Sequence, residues 1–339
     1  MSKRVALVLG SGGARGYAHI GVIEEIEARG YQIACIAGCS MGAVVGGIYA
    51  AGKLHQYREW TESLDYLDVL RLLDVSFRLG AIRGEKVFGR IRDIVGEINI
   101  EDLSIPYTAV ATDLTNQQEI WFQEGCLHQA MRASAAIPSL FTPVLQGHRM
   151  LVDGGLLNPL PIIPVVSSHC DLIIAVNLNA TSQLQYQLPV IERPPAIKSR
   201  IDQLMFSLGS RLPFLKRAPE DEAGLLDPES LPGGNPWLER AAPQQPPAAP
   251  ESSGAPKSAA GSEVVASVGA ASLLELINQS FEVMQTSLAQ YKIAGYPPDI
   301  LINVPKKVCR FFEFYKAPEL IQLGRLVARD TLDRYEQGN

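Results

Sequence analysis

Twice within its first 47 residues the chain carries an apolar run of strand length into a glycine-rich turn and on into a helical pattern: RVALVLGSGGARG (residues 4–16) and YQIACIAGCSMG (residues 31–42). Strands that are apolar on both faces must be covered on both faces. The order strand, helix, strand, helix therefore points to an α/β fold with a mainly parallel central sheet flanked by helices.

The rest of the chain extends this pattern. Residues 53–104 read as mainly helical, with Val87, Ile91, Ile94 and Val95 at helical spacing in GEKVFGRIRDIVG. Strands are expected at YTAVATDL, QEIWF, RMLVD, DLIIAVNLN and PDILINV, and helices at SLLELINQSFEVMQTSLAQYKIAG and over 318–335. Between 218 and 269 the composition turns to Pro, Ala, Ser, Gly and Glu, with too little apolar surface to offset the entropy of ordering, so a disordered insertion is expected. The organisation read from these shifts is a catalytic domain over 1–215, the insertion over 218–269, and a C-terminal helical region over 270–339 that completes or packs on the first.

A net charge of -6 and a pI near 5.5 argue against nucleic acid as a partner. The five cysteines (35, 39, 126, 170 and 309) include no CxxC pair, so neither a zinc ribbon nor a disulfide framework is indicated, and reduced thiols in a cytoplasmic protein are expected. The N-terminus passes straight into the first strand without a signal-peptide pattern, and no apolar run reaches the roughly 18 residues that span a bilayer. Membrane contact is thus expected to be peripheral, at the inner face. Residues 197–217 alternate apolar side chains with Lys198, Arg200, Arg211, Lys216 and Arg217. That stretch reads either as an interfacial element or as an ordinary amphipathic helix packed on the sheet.

Three motifs bear on chemistry. Gly38-Cys39-Ser40-Met41-Gly42 is a GxSxG between a strand and a helix, the context in which a serine is lifted clear of the sheet as a nucleophile and glycines two residues away avoid collision with the neighbouring strand and helix. GSGGARG, Gly10 to Gly16, misses the dinucleotide spacing and lacks the GK[ST] of a P-loop; backbone amides for an oxyanion and a purely structural turn both remain open for it. LVDGG places Asp153 at a strand end before two glycines. A serine nucleophile needs a base. Of the five histidines (19, 55, 128, 148 and 169) only His169 follows Asp153, and it stands at a strand start, at the wrong end of the sheet. Carboxylates are the better candidates: Asp153 leads and Asp113 of ATDLT is the alternative. All three motifs fall at strand ends, where open α/β sheets bind their ligands.

With GSGGARGYAHIGV, GCSMG, DGGLLNPLPI and ASAAIPSLFTPV in its chain, the sequence resembles the patatin-like phospholipase family, in its short bacterial branch, over residues 4 to about 180. The resemblance implies a three-layer α/β/α fold and a serine acyl hydrolase acting on fatty acyl esters, phospholipids foremost. It implies Ser40 as nucleophile and Asp153 as its sole partner, and Gly12, Gly13 and Ala14 as oxyanion donors, with Arg15 near the substrate anion. Gly38, Gly42, Gly154 and Gly155 are the motif glycines, and no metal or cofactor is implied. Ser11 stands where some members have a further glycine, which leaves the set of oxyanion amides open. A non-hydrolytic regulatory or nucleotide-binding protein on the same scaffold is the alternative reading.

Overall fold

The computed structural model describes residues 2–72, 84–138, 140–181, 186–191 and 270–338. The expected insertion over 218–269 and the basic amphipathic stretch 197–217 lie outside the described residues.

The described residues form one sheet of eight strands: β1 (Arg4–Leu9), β2 (Gln32–Cys39), β3 (Tyr107–Asp113), β4 (Gln118–Phe122), β5 (Val144–Gln146), β6 (Arg149–Asp153), β7 (Leu172–Ala180) and β8 (Ile300–Pro305). Around it stand α1 (Ala18–Ala28), α2 (Met41–Ala50), α3 (Leu54–Ser63), α4 (Tyr66–Leu72), α5 (Glu85–Val95), α6 (Leu127–Ser134), α7 (Ala270–Gly295) and α8 (Ala317–Gly338). Strands β3, β2, β1, β7 and β8 pair in parallel in that order. β4 and β6 pair antiparallel with β3, and β5 with β6, so the sheet is mixed. Short connections force this. β5 and β6 are joined by Gly147 and His148 alone, with Gly147 at φ 60, and a two-residue loop cannot make a parallel crossover. Helix α6 and strand β5 are not expected from the sequence pattern. The helix spans two turns and the strand three residues, too short for periodicity to register.

The two sheet faces are built differently. Val5, Leu7 and Leu9 of β1 enter a large core with α1, α2 and α8, whereas Ala6 and Val8 face a smaller one containing Ala37, Leu160, Ile162, Ala175 and Ala289 of α7. Small side chains on that second face let α7 lie close to the sheet. On the first face, α1 and α8 meet backbone to backbone: a Cβ at Gly21 would fall 1.9 Å from the Ile321 carbonyl oxygen, and one at Gly324 would fall 2.0 Å from that of Ala18.

The register along β3 brings the serine and aspartate motifs together. β2 pairs with residues 107–110 of β3, β4 with 109–113, and β6 with 111–113. A strand has two edges, and β4 overlaps both other partners, so β2 and β6 share the opposite edge. They run toward each other. β2 ends at Cys39 opposite Val110, and β6 ends at Asp153 opposite Ala111. The sequence pattern suggests that Asp153 shares the carboxyl edge of the parallel strands. Its strand in fact enters from beyond that edge and stops head to head with β2.

Candidate active site

Ser40 is the single residue between β2 and α2, and its backbone sits at φ 57, ψ -125. A non-glycine residue held there stores on the order of 1–3 kcal/mol, which the surroundings must offset. They do so with hydrogen bonds on both sides of the residue. The Ser40 amide donates to Ser134 Oγ at 2.9 Å, Ser134 Oγ donates to the Val110 carbonyl at 2.6 Å, and the Ser40 carbonyl accepts from Ala43 and Val44 at 2.9 and 3.1 Å. The motif glycines close the turn. A Cβ at Gly42 would lie 2.1 Å from the Leu9 carbonyl oxygen and one at Gly38 would lie 2.5 Å from that of Gly42, so any side chain at either position would push α2 off the sheet. The first amides of α2 have no helical acceptor and bring a positive dipole end to the serine.

Asp153 is fixed as firmly. Its amide donates to the Ala136 carbonyl at 2.9 Å, Oδ1 accepts from the Gly155 amide at 2.7 Å, and Oδ2 accepts from Ser40 Oγ. A Cβ at Gly154 would fall 2.2 Å from the Val110 carbonyl oxygen, which is why this strand end must be glycine. Ser40 and Asp153 are both wholly buried. Burial pushes the Asp153 carboxyl up to about 7 against the smaller opposing effect of the bonds from Ser40 and Gly155. A carboxylate of that basicity can exchange a proton near neutral pH.

The glycine loop after β1 divides its amides. Gly10 N–H donates to Val176 O at 3.0 Å, Ser11 N–H to Pro159 O at 2.8 Å, and Ala14 N–H to Phe311 O at 2.9 Å. The expectation that Ala14 serves as an oxyanion donor is corrected by that last bond, because its one N–H is already engaged. The amides of Gly12 and Gly13 have no such acceptor among the described residues, and Gly13 adopts φ 56. Arg15 also departs from expectation. It is 1% exposed, and its guanidinium donates to the Lys306 carbonyl at 2.9 Å, to Asn179 Oδ1 at 3.2 Å and to Glu282 Oε1 at 2.9 Å. It is an internal strut and not an arm open to a substrate at Ser40.

Asp113, the alternative carboxylate, is taken up by the turn that follows it. It accepts from the Thr115 amide at 2.9 Å, the Asn116 amide at 3.3 Å and Asn116 Nδ2 at 2.7 Å. The histidines are elsewhere. His19 donates from Nε2 to the Gly10 carbonyl at 2.8 Å, and burial lowers it to about 4; His128 bonds the Phe88 carbonyl; His55, His148 and His169 are exposed, His169 just before the start of β7 and so at the far end of the sheet.

Three polar residues at the site are unmarked in the sequence. Ser134 lies within ASAAIPSLFTPV, and the only signal for it is a serine among alanines at a helix end. Asn179 holds the Ser11 carbonyl through Nδ2 at 2.9 Å. Gln285 of α7 is wholly buried, donates from Nε2 to Ser11 Oγ at 2.9 Å, and stands where a side chain on Gly155 would be, 2.2 Å from its Cβ position. Nothing local in the sequence of α7 marks that glutamine. Its Oε1 is buried without a partner among the described residues. Helix α7 thus roofs the Ser40–Asp153 pair, and Lys292, also on α7, ties the roof to Glu119 of β4 at 2.8 Å.

On the first face of the sheet an apolar cavity of about 60 Å³ begins at Met41 and Ala135, the chain neighbours of Ser40 and Ser134, and continues between Trp60, Phe88 and Phe141. Among the described residues no cluster of three or more His, Cys, Asp or Glu side chains could hold a metal ion, and no helix is long and apolar enough to cross a membrane.

A family model described as Patatin-like phospholipase matches residues 7–166. An uncharacterized NTE family protein of Mycobacterium tuberculosis is 42% identical over 343 residues, covering 99% of this chain and 93% of that protein. Neuropathy target esterase sws of Drosophila melanogaster is 31% identical over 185 residues, a match that covers 52% of this chain and 13% of that protein. Among solved structures, VipD from Legionella pneumophila aligns with a TM-score of 0.48 and 14% identity, over 99% of this chain and 67% of that one.

Proposed function

Because the chain belongs to the patatin-like phospholipase family, we propose that it is a serine acyl hydrolase that cleaves fatty acyl esters, phospholipids foremost, with Ser40 and Asp153 as its catalytic dyad. The observation that carries this reading is the bond from Ser40 Oγ to a buried carboxylate raised to about 7. Ser40 Oγ attacks the ester carbonyl while its proton passes to Asp153 Oδ2. The free amides of Gly12 and Gly13 receive the oxyanion, each such donor being worth about 3 kcal/mol in the transition state. The tetrahedral intermediate collapses, the protonated Asp153 delivers its proton to the departing alkoxide, and Ser40 keeps the acyl group. Water then attacks the acyl-enzyme, again losing its proton to Asp153, and the fatty acid leaves. An aspartate at its ordinary pKa of about 3.9 would be a weak base for this work at neutral pH, and desolvation corrects that.

The apolar cavity starting at Met41 receives the first carbons of the acyl chain. Since Ser40 is wholly buried beneath α7, turnover requires that helix to shift. The esterase in the Drosophila relative's name supports an ester substrate.

The test is labelling with a serine-directed fluorophosphonate together with lipid product profiling of the purified chain. Wild type should label and release fatty acid, while Ser40→Ala should do neither and lose ester turnover by about 10³-fold or more. Labelling of the Ala variant at the wild-type rate, or no turnover of any acyl ester by wild type, would overturn the reading.

A further inference from the structure

Beside Arg15 of the glycine loop lies a second, polar cleft of about 560 Å³. Among the described residues its wall carries four cations, Arg15, Lys306, Lys307 and Arg310, against one carboxylate, Glu282 of α7. We propose that this cleft binds a phosphate monoester or diester group.

The charges in the cleft are unbalanced and largely uncommitted. Among the described residues the side chains of Lys306, Lys307 and Arg310 have no ion-pair partner, and Lys307 and Arg310 are exposed. Arg15 is buried in the wall, and its Nε has no acceptor among the described residues. A buried guanidinium N–H without a protein acceptor is rare and calls for an explanation such as an ordered water or an ion. Its one ionic partner among the described residues is Glu282, whose side chain is 25% exposed at the cleft. That carboxylate holds the place of an incoming anion. Phosphate offers three or more oxygens to the guanidinium fork and to flanking ammonium groups, a better match than one carboxylate.

Position relates the cleft to the reaction. Phe311 lines it, the Phe311 carbonyl accepts the Ala14 amide at 2.9 Å, and Gly13 packs so closely that a Cβ there would sit 2.6 Å from that same oxygen. The cleft is therefore contiguous with the amides proposed to hold the oxyanion. Contact through Phe311 and the glycine loop makes the headgroup of an ester bound at Ser40 one source of that phosphate. A phosphate that displaces Glu282 from Arg15 also removes one of the ties that hold α7 over Ser40. Assigning the phosphate to the substrate's own headgroup rests on the acyl-hydrolase reading; binding of phosphate in the cleft does not.

The experiment has two arms. Calorimetry measures binding of inorganic phosphate and of glycerol 3-phosphate to the full chain. Kinetics compares kcat/KM for a short-chain phospholipid with that for an uncharged ester of equal acyl length. Both small ligands should bind saturably, and Lys307→Gln with Arg310→Gln should weaken them roughly tenfold or more. Glu282→Gln should tighten them by removing the internal competitor. Lys53→Gln with Arg334→Gln, the same change in net charge elsewhere on the surface, should leave binding as it is. A headgroup site further requires the phospholipid-to-neutral-ester ratio to fall with the Lys307 and Arg310 pair. An unchanged ratio with weakened phosphate binding assigns the cleft to a free phosphorylated ligand. Absence of saturable binding by either ligand, or equal binding by wild type and the Lys307 and Arg310 variant, overturns the proposal. A failure of the hydrolase reading would show only in the kinetic arm and leave the calorimetry readable.

Discussion

Two aspartates stand almost side by side on neighbouring strands, Asp113 paired with Leu151 and Asp153 paired with Ala111, and neither is exposed. Their chemistry differs. Burial raises both carboxyls, but at Asp113 the Asn116 side chain, two turn amides and Arg149 together outweigh it and hold the group below the ordinary carboxylate range. At Asp153 the opposing bonds are only those from Ser40 and Gly155, and the group rises to about 7. Burial alone does not make a base. What distinguishes the two is how few donors the second receives: a hairpin turn folds its own amides back onto Asp113, whereas Asp153 sits where two strands stop and leave few amides to spare.

The sharpest way to break this comparison is to neutralise each carboxylate in turn. Asp153→Asn should lower kcat/KM for an acyl ester by about 10³-fold or more, and Asp113→Asn should stay within about threefold of wild type. His169→Gln should do the same as Asp113→Asn. Equal losses at 113 and 153 would end the distinction.

The next effect is on pH dependence. A base must be ionised, so kcat/KM should rise with pH to a half-maximum near 7, where Asp153 titrates. Because desolvation is the cause, Gln285→Ala, which opens the roof to water, should move that midpoint downward. An unshifted midpoint would mean that the roof does not set the basicity.

The smallest effect is on stability, and its sign should differ between the two sites. Asp153 has a folded value above its unfolded one, so wild-type stability falls as pH rises from about 4 through 7, and Asp153→Asn should be the more stable protein at pH 8 by on the order of a few kcal/mol. Asp113 has a folded value below its unfolded one, so its contribution is present at neutral pH and lost as pH falls through the folded value. Asp113→Asn should be less stable than wild type at pH 7, with the gap closing in acid. Urea midpoints for both variants at acid and alkaline pH would show whether the signs oppose.

Much of the fold is legible in the sequence because its signals are local. A collision between residue 38 and the first turn of the helix that follows it, or a strand apolar on both faces, is decided within a few residues, and such reasoning locates β1, α1, β2, α2 and β7 and singles out Ser40 with its glycines. Asp153 stands out as the leading carboxylate from its strand-end position and the two glycines beside it. Helix α6 and strand β5 are too short to show a period, although α6 supplies the Ser134 hydroxyl that steadies the Ser40 turn.

The sequence by itself determined the chemical types at the site and the turns that present them, since the conflict between Gly38 and the Gly42–Ala43 turn four and five residues on does not wait for the rest of the chain. Only the tertiary structure decided which groups are free to act. The head-to-head meeting of β2 and β6 on one edge of β3, the engagement of Ala14 by Phe311, the loss of Arg15 to Glu282 and the burial of the pair under Gln285 join segments far apart in the chain, 274 residues in the bond from Gln285 to Ser11. Hydrogen-bond allocation and desolvation depend on every group within a few ångströms, and those neighbours come from distant parts of the chain.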